Sequence, residues 1–232
     1  MGILQLAAGL AGMTAANPSL GQDRPTGSML QVRPVAIAPE RLGEMQVEFG
    51  RCIYGSNPRA AAALLTHSDA FAADLKAARI NDPRISFDTD RCLRQERRDD
   101  EPNLDVAITP LGVRAMLLEP AYLEAYRHPP VLAAGAVEAL PRQFVSTGDQ
   151  LVRARQLAVF ADCVVFHDLT GADALVRTMP GTPSEVAAAR ALAPSLGACL
   201  AQGQRFSLAA KNVRAVVADG LWTRFVRATP AQ

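Results

Sequence analysis

The sequence predicts an all-α protein made of two tandem, similar helical units, each with one disulfide inside it. Three observations lead to this prediction: apolar residues spaced at helical intervals, similar segments repeated in the same order along the chain, and four cysteines placed alike in the two copies. Strand-like alternation is confined to short runs such as 35–37. We expect about four helices in each unit, after a disordered N-terminal segment.

Composition limits the classes of protein that need to be considered. The chain has 232 residues, of which 49% are apolar and 20% charged, so it can form a substantial core. Its formal net charge of +1 argues against a nucleic-acid partner, since such proteins usually carry an extended basic surface. No run approaches the roughly 20 apolar residues of a membrane-spanning helix, and we expect no transmembrane span in the mature chain.

The N-terminus has the pattern of a targeting segment. Residues 3–16 form an apolar run of the length found in secretory signals, with small residues after it. We therefore interpret residues 1–22 as a signal peptide and 23–39, which are rich in Pro, Gly and Ser, as a flexible linker. The first basic residue is Arg24, so the basic region that normally opens a signal is missing. A periplasmic or secreted location is the expectation, and a cytoplasmic one the alternative.

Similar segments recur in the two halves of the chain. The matched segments are Phe49 to Cys52 with Phe160 to Cys163, Leu64-Leu65 with Leu175-Val176, Cys92-Leu93 with Cys199-Leu200, and Val113-Arg114-Ala115 with Val213-Arg214-Ala215. The offset shrinks along the chain, from 163 − 52 = 111 to 214 − 114 = 100, as deletions in loops would produce. We predict one helical unit at 40–127, a connector at 128–148 and a second unit at 149–228.

The helical pattern gives four segments in each unit. In the first unit we predict helices at 41–54, 58–66, 69–79 and 110–127, with 80–109 irregular. In the second we predict helices at 149–166, 170–178, 183–201 and 207–228, and a short helix near 131–140 in the connector. Pro120 and Gly220 occupy matching positions in the last helix of each unit, and both residues weaken a helix, so we predict a shared kink there.

The cysteines support the same organisation. Four cysteines allow three pairings, and duplication of a unit with its own bridge selects Cys52–Cys92 and Cys163–Cys199. The alternative is four reduced cysteines buried in a cytosolic protein. A metal site has little support, because the chain lacks a C-x-x-C pair and only His167 follows a cysteine at a suitable spacing. We expect no metal and no other cofactor.

Motifs for catalysis are absent from the sequence. It contains no G-x-S-x-G turn, no glycine-rich phosphate loop and no H-E-x-x-H pair. His67 and His167 stand next to serine or aspartate, but sequence neighbours point in different directions, so adjacency does not make a catalytic site. A binding or structural protein is therefore favoured over an enzyme, and a hydrolase with a site around His67 or His167 is the alternative.

The C-terminal segment is locally basic. Its basic residues, opposed within the segment by Asp219, are Arg205, Lys211, Arg214, Arg224 and Arg227. These are candidate contacts to an anionic surface or an envelope protein, with an ordinary solvated helix face as the alternative. The order of cysteines and the arginine-bearing helix resembles that of small exported bacterial proteins of unknown function, a resemblance that implies no functional site. We expect an exported helical binding or structural protein whose ligand the sequence does not identify.

Overall fold

A computed structural model describes residues 37–96, 108–203 and 205–227 of the chain. Within these ranges the chain forms ten α-helices and a π-helical segment, with no strand and one isolated bridge between Ser68 and Ala73. The helices are α1 (Pro39–Ser56), α2 (Pro58–Thr66), α3 (Pro83–Ser86), α4 (Thr89–Glu96), α5 (Pro110–Ala125), α6 (Gly148–His167), α7 (Leu169–Arg177), α8 (Pro183–Ala191), α9 (Ala193–Cys199) and α10 (Ala210–Leu221), which continues as the π-helix Trp222–Arg227. The predicted signal peptide lies outside the described residues.

The all-α class and both predicted disulfides are confirmed. Cys52 of α1 is bonded to Cys92 of α4, and Cys163 of α6 is bonded to Cys199 of α9. No cysteine is left free. We call 39–127 the N-terminal region, 128–147 the connector and 148–227 the C-terminal region. Each region thus holds one bridge, which joins its first long helix to a short helix that precedes its last one.

Polar side chains cap the starts of several helices. The side chain of Asn57 accepts a hydrogen bond from Ala60 N at the start of α2, at 3.1 Å. Thr109 does the same for Gly112 N at the start of α5 (3.0 Å), and Asp168 for Gly171 N at the start of α7 (2.8 Å). Such caps satisfy backbone donors that have no partner inside the helix. The predicted bounds of α2 agree with the structure, and those of α7 agree to within one residue.

The predicted helix at 69–79 is wrong. The carboxylate of Asp69 accepts hydrogen bonds from Phe71 N and Ala72 N, at 2.9 and 3.0 Å, and closes a turn instead. Asp69 N then bonds Ala72 O at 2.8 Å, and residues 75–79 form a further turn. A short polar side chain that bonds the nearby backbone competes with the helix, which the apolar pattern does not reveal.

Four other features differ from the sequence prediction. The interval 80–109 contains α3 and α4, whereas the connector has no helix at 131–140. The stretch 183–201 divides into α8 and α9, where Pro194 in the first turn of α9 removes a backbone donor. Helix α5 runs unbroken through Pro120, whereas α10 changes to a π-helix at Trp222, two residues after Gly220.

The two regions share one hydrophobic core. Its fully buried members include Ile53, Leu64 and Leu117 from the N-terminal region and Val164, Leu175, Leu192 and Leu221 from the C-terminal region. Helix α5 packs on α10 and on the π-helix, so the last helix of each region forms the contact between the regions. Polar side chains on α5 and α10 are therefore enclosed at this contact.

The long helices cross closely at one point in each region. A Cβ on Gly50 of α1 would lie 2.9 Å from Met116 O of α5, and a Cβ on Gly220 of α10 would lie 2.7 Å from Ala161 O of α6. Real Cβ contacts are longer than this, so each crossing needs a glycine. In the N-terminal region the glycine at the crossing, Gly50, lies on the first long helix, and its match in the sequence is Ala161. In the C-terminal region the glycine, Gly220, lies on the last helix, and its match is Pro120.

None of the described helices combines the length and the apolar character that a membrane crossing requires.

Candidate functional site

Two buried arginines make reciprocal ion pairs between α5 and α10. Arg114 of α5 binds Asp219 of α10, and Arg214 of α10 binds Glu119 of α5. Both the arginines and the acids are separated by 100 residues (214 − 114 and 219 − 119). In an isologous contact, residue i of one partner meets residue j of the other and vice versa, and the two pairs follow this rule. The arginines are 6% and 5% exposed.

The surroundings of Arg214 are closed. Its guanidinium binds both oxygens of Glu119, at 2.7 and 2.6 Å, and donates to the carbonyls of Leu175, Val176 and Thr178. Glu185 lies 3.5 Å away and adds a second carboxylate. A guanidinium has five N–H donors, and here they are directed at protein acceptors on every side. This arginine joins α5, α7, α8 and α10 and has no capacity left for a ligand.

The surroundings of Arg114 extend into a larger network. Arg114 Nε donates to Ser68 Oγ at 3.1 Å, and Asp219 also receives Arg142 Nη1 of the connector at 2.6 Å. The other terminal nitrogen of Arg142 binds Asp162 of α6. Two arginines and two aspartates thus alternate from α5 through α10 and the connector to α6. The network fixes the connector against both regions.

This network borders a cleft that opens to solvent. The cleft has a volume of about 330 Å³ including its mouth. Its polar and aromatic lining comprises Ser68, Asp69, Arg114, Arg142, Gln143, Phe144, Asp219, Trp222 and Arg227. The guanidinium carbon of Arg227 lies 6.0 Å from the centre of the Trp222 ring, at the distance of a cation–π contact. Residues from both regions and from the connector meet here.

The charges in the cleft change the acidity of its members. The pKa of Asp219 falls to about 2, because Arg114 and Arg142 outweigh the effect of burial. Burial likewise opposes the charge of Arg142, yet Asp219 and Asp162 raise its pKa above the usual value. Arg227 behaves differently: burial and the repulsion from Arg142 and Arg114 lower its pKa, despite the opposing effect of Asp219. The lining itself carries three arginines and two aspartates, so positive charge is in excess by one.

Asp69, which also lines the cleft, accepts hydrogen bonds from the backbone of the connector. Asp69 accepts from Val145 N and Ser146 N, at 2.8 and 2.7 Å, and from Ser146 Oγ at 2.6 Å. These hydrogen bonds outweigh burial and lower the pKa of Asp69. Ser68 Oγ donates to Leu64 O at 2.6 Å while accepting from Arg114. Both side chains hold the structure together, and neither is free to act as a nucleophile or a base.

The five basic residues singled out in the sequence are not in one patch. Arg205 and Lys211 are exposed, whereas Arg214 and Arg224 are buried. Arg224 donates to the carbonyls of Val137 and Glu138 in the connector, and burial lowers its pKa. Arg227 lines the cleft. Binding of an anionic surface by this set stays a prediction. Arg214 and Arg224 could contact such a surface only if they left their partners inside the protein.

The histidines named for a hydrolase lie in different regions. Nε2 of His167 lies 3.5 Å from the carboxylate of Glu138. His67 has no side-chain partner among the described residues, and its neighbour Ser68 is engaged by Leu64 and Arg114. His167 also lies near a disulfide: a ligand atom of His167 and the sulfurs of Cys163 and Cys199 fall within 4.8 Å of one another. Bonded sulfurs have no thiolate to offer, so this cluster does not suit a metal while the bridge is intact.

The sequence contained a signal for part of this site. Arg114 and Arg214 were matched as members of a repeat, and charged residues inside an apolar helical pattern indicate a buried pair. Arg142 was missed, because the connector has no periodic pattern that would indicate a buried side chain. Aromatic residues near the ends of the two last helices are groove candidates on sequence grounds, and of these candidates, Tyr122, Tyr126, Trp222 and Phe225, the cleft is lined by Trp222.

Comparison with known proteins adds no assignment. No model of a protein family, no curated protein and no solved structure matches this chain.

Proposed function

We propose that this chain is an exported, periplasmic or envelope, helical binding protein without catalytic activity. The observation that carries the proposal is the pair of disulfides, Cys52–Cys92 and Cys163–Cys199, which take up every cysteine of the chain. Disulfides of this kind are compatible with an oxidising compartment and are rare in the cytosol. The apolar run at 3–16 supports the same location from the sequence.

The cleft supports a binding role over a purely structural one. The arginine network around Asp219 fixes the connector, yet Arg227 adds a charge that this network does not use. A protein that needed only rigidity would gain nothing from a half-buried guanidinium without a carboxylate, because burial of an unpaired charge costs stability. A binding site explains that cost.

A hydrolase around His67 or His167 is the alternative function. It has less support, because catalysis by histidine needs a nucleophile within hydrogen-bond reach. Ser68 is committed to Leu64 and Arg114, and the described partner of His167 is a carboxylate. Labelling of the purified protein by a fluorophosphonate would favour the hydrolase, and we expect none.

The experiment for the proposed function is mass spectrometry of the non-reduced protein after expression in a bacterium with a periplasm. We expect a mature N-terminus between Asn17 and Asp23, peptides linked through 52–92 and 163–199, and no thiol that reacts with iodoacetamide. The same chain without residues 1–22, kept in the cytosol, is the control and should yield free thiols. Recovery of the full-length chain from the cytosol, with residues 3–16 retained and all thiols reactive, would contradict export.

A further inference from the structure

We propose that the cleft binds a small oxyanion of the phosphate class, held by Arg227 and the adjoining face of Arg142. This inference rests on the proposed function, because it names the ligand class of the binding protein. It starts from the charge on Arg227, which no described carboxylate pairs with.

Arg227 is the described arginine of the cleft that lacks an acid. Arg114 and Arg142 both bind Asp219, and Arg142 also binds Asp162. Arg227 contacts the ring of Trp222 but makes no hydrogen bond or ion pair within the described chain. Stacking of the guanidinium near an aromatic ring leaves its edge, which carries the N–H donors, available for a ligand.

The acids that line the cleft are already used. Asp219 accepts from two arginines, and Asp69 accepts from the backbone and side chain at Ser146. The lining therefore carries three arginines and two aspartates whose oxygens face protein donors. A ligand that brings its own anionic oxygens would supply the acceptors that the protein lacks at this point.

A second unsatisfied donor lies in the same lining. Nε of Arg142 is buried and has no acceptor in the described part of the chain, and the Arg142 side chain is 7% exposed. A buried donor without an acceptor is unfavourable, because it has lost its hydrogen bonds to water and gained none in the protein. An oxyanion beside Arg227 would reduce the repulsion between Arg142 and Arg227.

The chemistry of the cleft favours a small ligand that carries anionic oxygens. The fork of a guanidinium matches two oxygens of a phosphate group in a bidentate contact. The same group occurs as a free phosphate compound and as the head group of an anionic lipid, so the test must separate these two sources.

Trp222 provides a direct reporter, because it lines the cleft and is the one tryptophan of the sequence. The oxidised full-length chain is titrated with inorganic phosphate at constant ionic strength while Trp222 fluorescence is recorded. We expect a saturable change, weakened by about tenfold or more in Arg227→Gln and by less in Arg227→Lys, which keeps the charge but loses the fork. Arg190→Gln removes an exposed arginine of α8 and should leave the titration unchanged.

A second arm identifies the source of the phosphate group. Vesicles of phosphatidylcholine, with or without phosphatidylglycerol, are sedimented with the protein. Sedimentation that requires phosphatidylglycerol and Arg227 supports a lipid head group, and a phosphate titration without sedimentation supports a free compound. The proposal is overturned if phosphate leaves the fluorescence unchanged, or if Arg227→Gln and Arg190→Gln titrate like the original chain. That failure would leave export and the disulfides untouched, whereas failure of export would not alter the titration.

Discussion

The two buried arginines at the contact between α5 and α10 have different surroundings. Arg214 is enclosed by two carboxylates and three backbone carbonyls, whereas Arg114 belongs to a network that continues through Asp219 and Arg142 to the edge of a cleft. Each arginine also meets a hydroxyl that bonds back to a helix carbonyl: Ser68 for Arg114 and Thr178 for Arg214. The same local arrangement is therefore enclosed by protein around Arg214 and borders a solvent-exposed cleft around Arg114.

This difference comes from what covers each arginine. In the C-terminal region the loop after α7 and helix α8 cover the arginine, through Thr178 and Glu185. Around Arg114 the cover comes from the connector, whose Arg142 shares Asp219 and leaves room beside Arg227. Reciprocal pairs separated by 100 residues are what duplication would leave, and tandem similarity of the two units stays a prediction.

The largest effect on stability is expected from replacement of Arg214, the arginine that is enclosed by protein acceptors. Arg214→Met removes the partner of Glu119 and Glu185 and leaves buried acids without a counter-charge, which should lower the free energy of unfolding by about 4 kcal/mol. Urea unfolding followed by circular dichroism measures this. Arg190→Met, at an exposed position, is the control and should change stability by less than about 0.5 kcal/mol. Equal urea midpoints for the two variants would mean that the ion pairs of Arg214 do not stabilise the fold.

Removal of either disulfide is expected to cost somewhat less. The bridges close segments with sequence separations of 40 and 36 residues, so Cys52→Ala/Cys92→Ala and Cys163→Ala/Cys199→Ala should each destabilise by up to about 4 kcal/mol. Because the regions share one core, each double variant should still unfold in one transition by both far- and near-ultraviolet circular dichroism. Two separate transitions would show that the regions have independent cores.

Acid should weaken the open network through Asp219. The pKa of this carboxyl is lowered to about 2 in the folded chain, from a usual value of 3.8, so its stabilisation is present above pH 3.8 and is lost as the pH falls toward 2. The shift corresponds to about 2 kcal/mol. Asp219→Asn should lower stability at neutral pH and flatten the acid limb of the pH profile. Asp90→Asn, in an exposed pair with Arg84, is the control, and an identical acid limb in all three proteins would contradict this account.

The smallest effect on stability is expected at Arg227. Since this arginine makes no described ion pair, and burial of its charge is unfavourable, Arg227→Gln should leave the free energy of unfolding unchanged or raise it slightly, by less than about 0.5 kcal/mol. Thermal unfolding of the oxidised protein without phosphate measures this. A loss comparable to that of Arg214→Met would mean that Arg227 holds the fold together and would favour a structural role for the cleft.

Local patterns and long-range contacts differ in how far the sequence predicts them. Helix α2 follows from a cap at Asn57 and a short apolar stripe, and both bridges follow from the matched placement of the cysteines. The turn at Asp69 depends on side-chain hydrogen bonds that no periodicity reports. The cleft could not be predicted, because it needs Arg142 from an aperiodic connector to meet helices from both regions.

The most direct test of the contrast between the two arginine sites is a nuclear magnetic resonance titration of arginine side chains. The Nε–Hε signals of the oxidised, ¹⁵N-labelled full-length chain are assigned with Arg-to-Lys variants and followed as inorganic phosphate is added at constant ionic strength. The account predicts saturable shifts for Arg227 and Arg142 and none for Arg214. A static Arg227 signal, or the same linear drift for Arg227, Arg214 and the exposed Arg190, would contradict it.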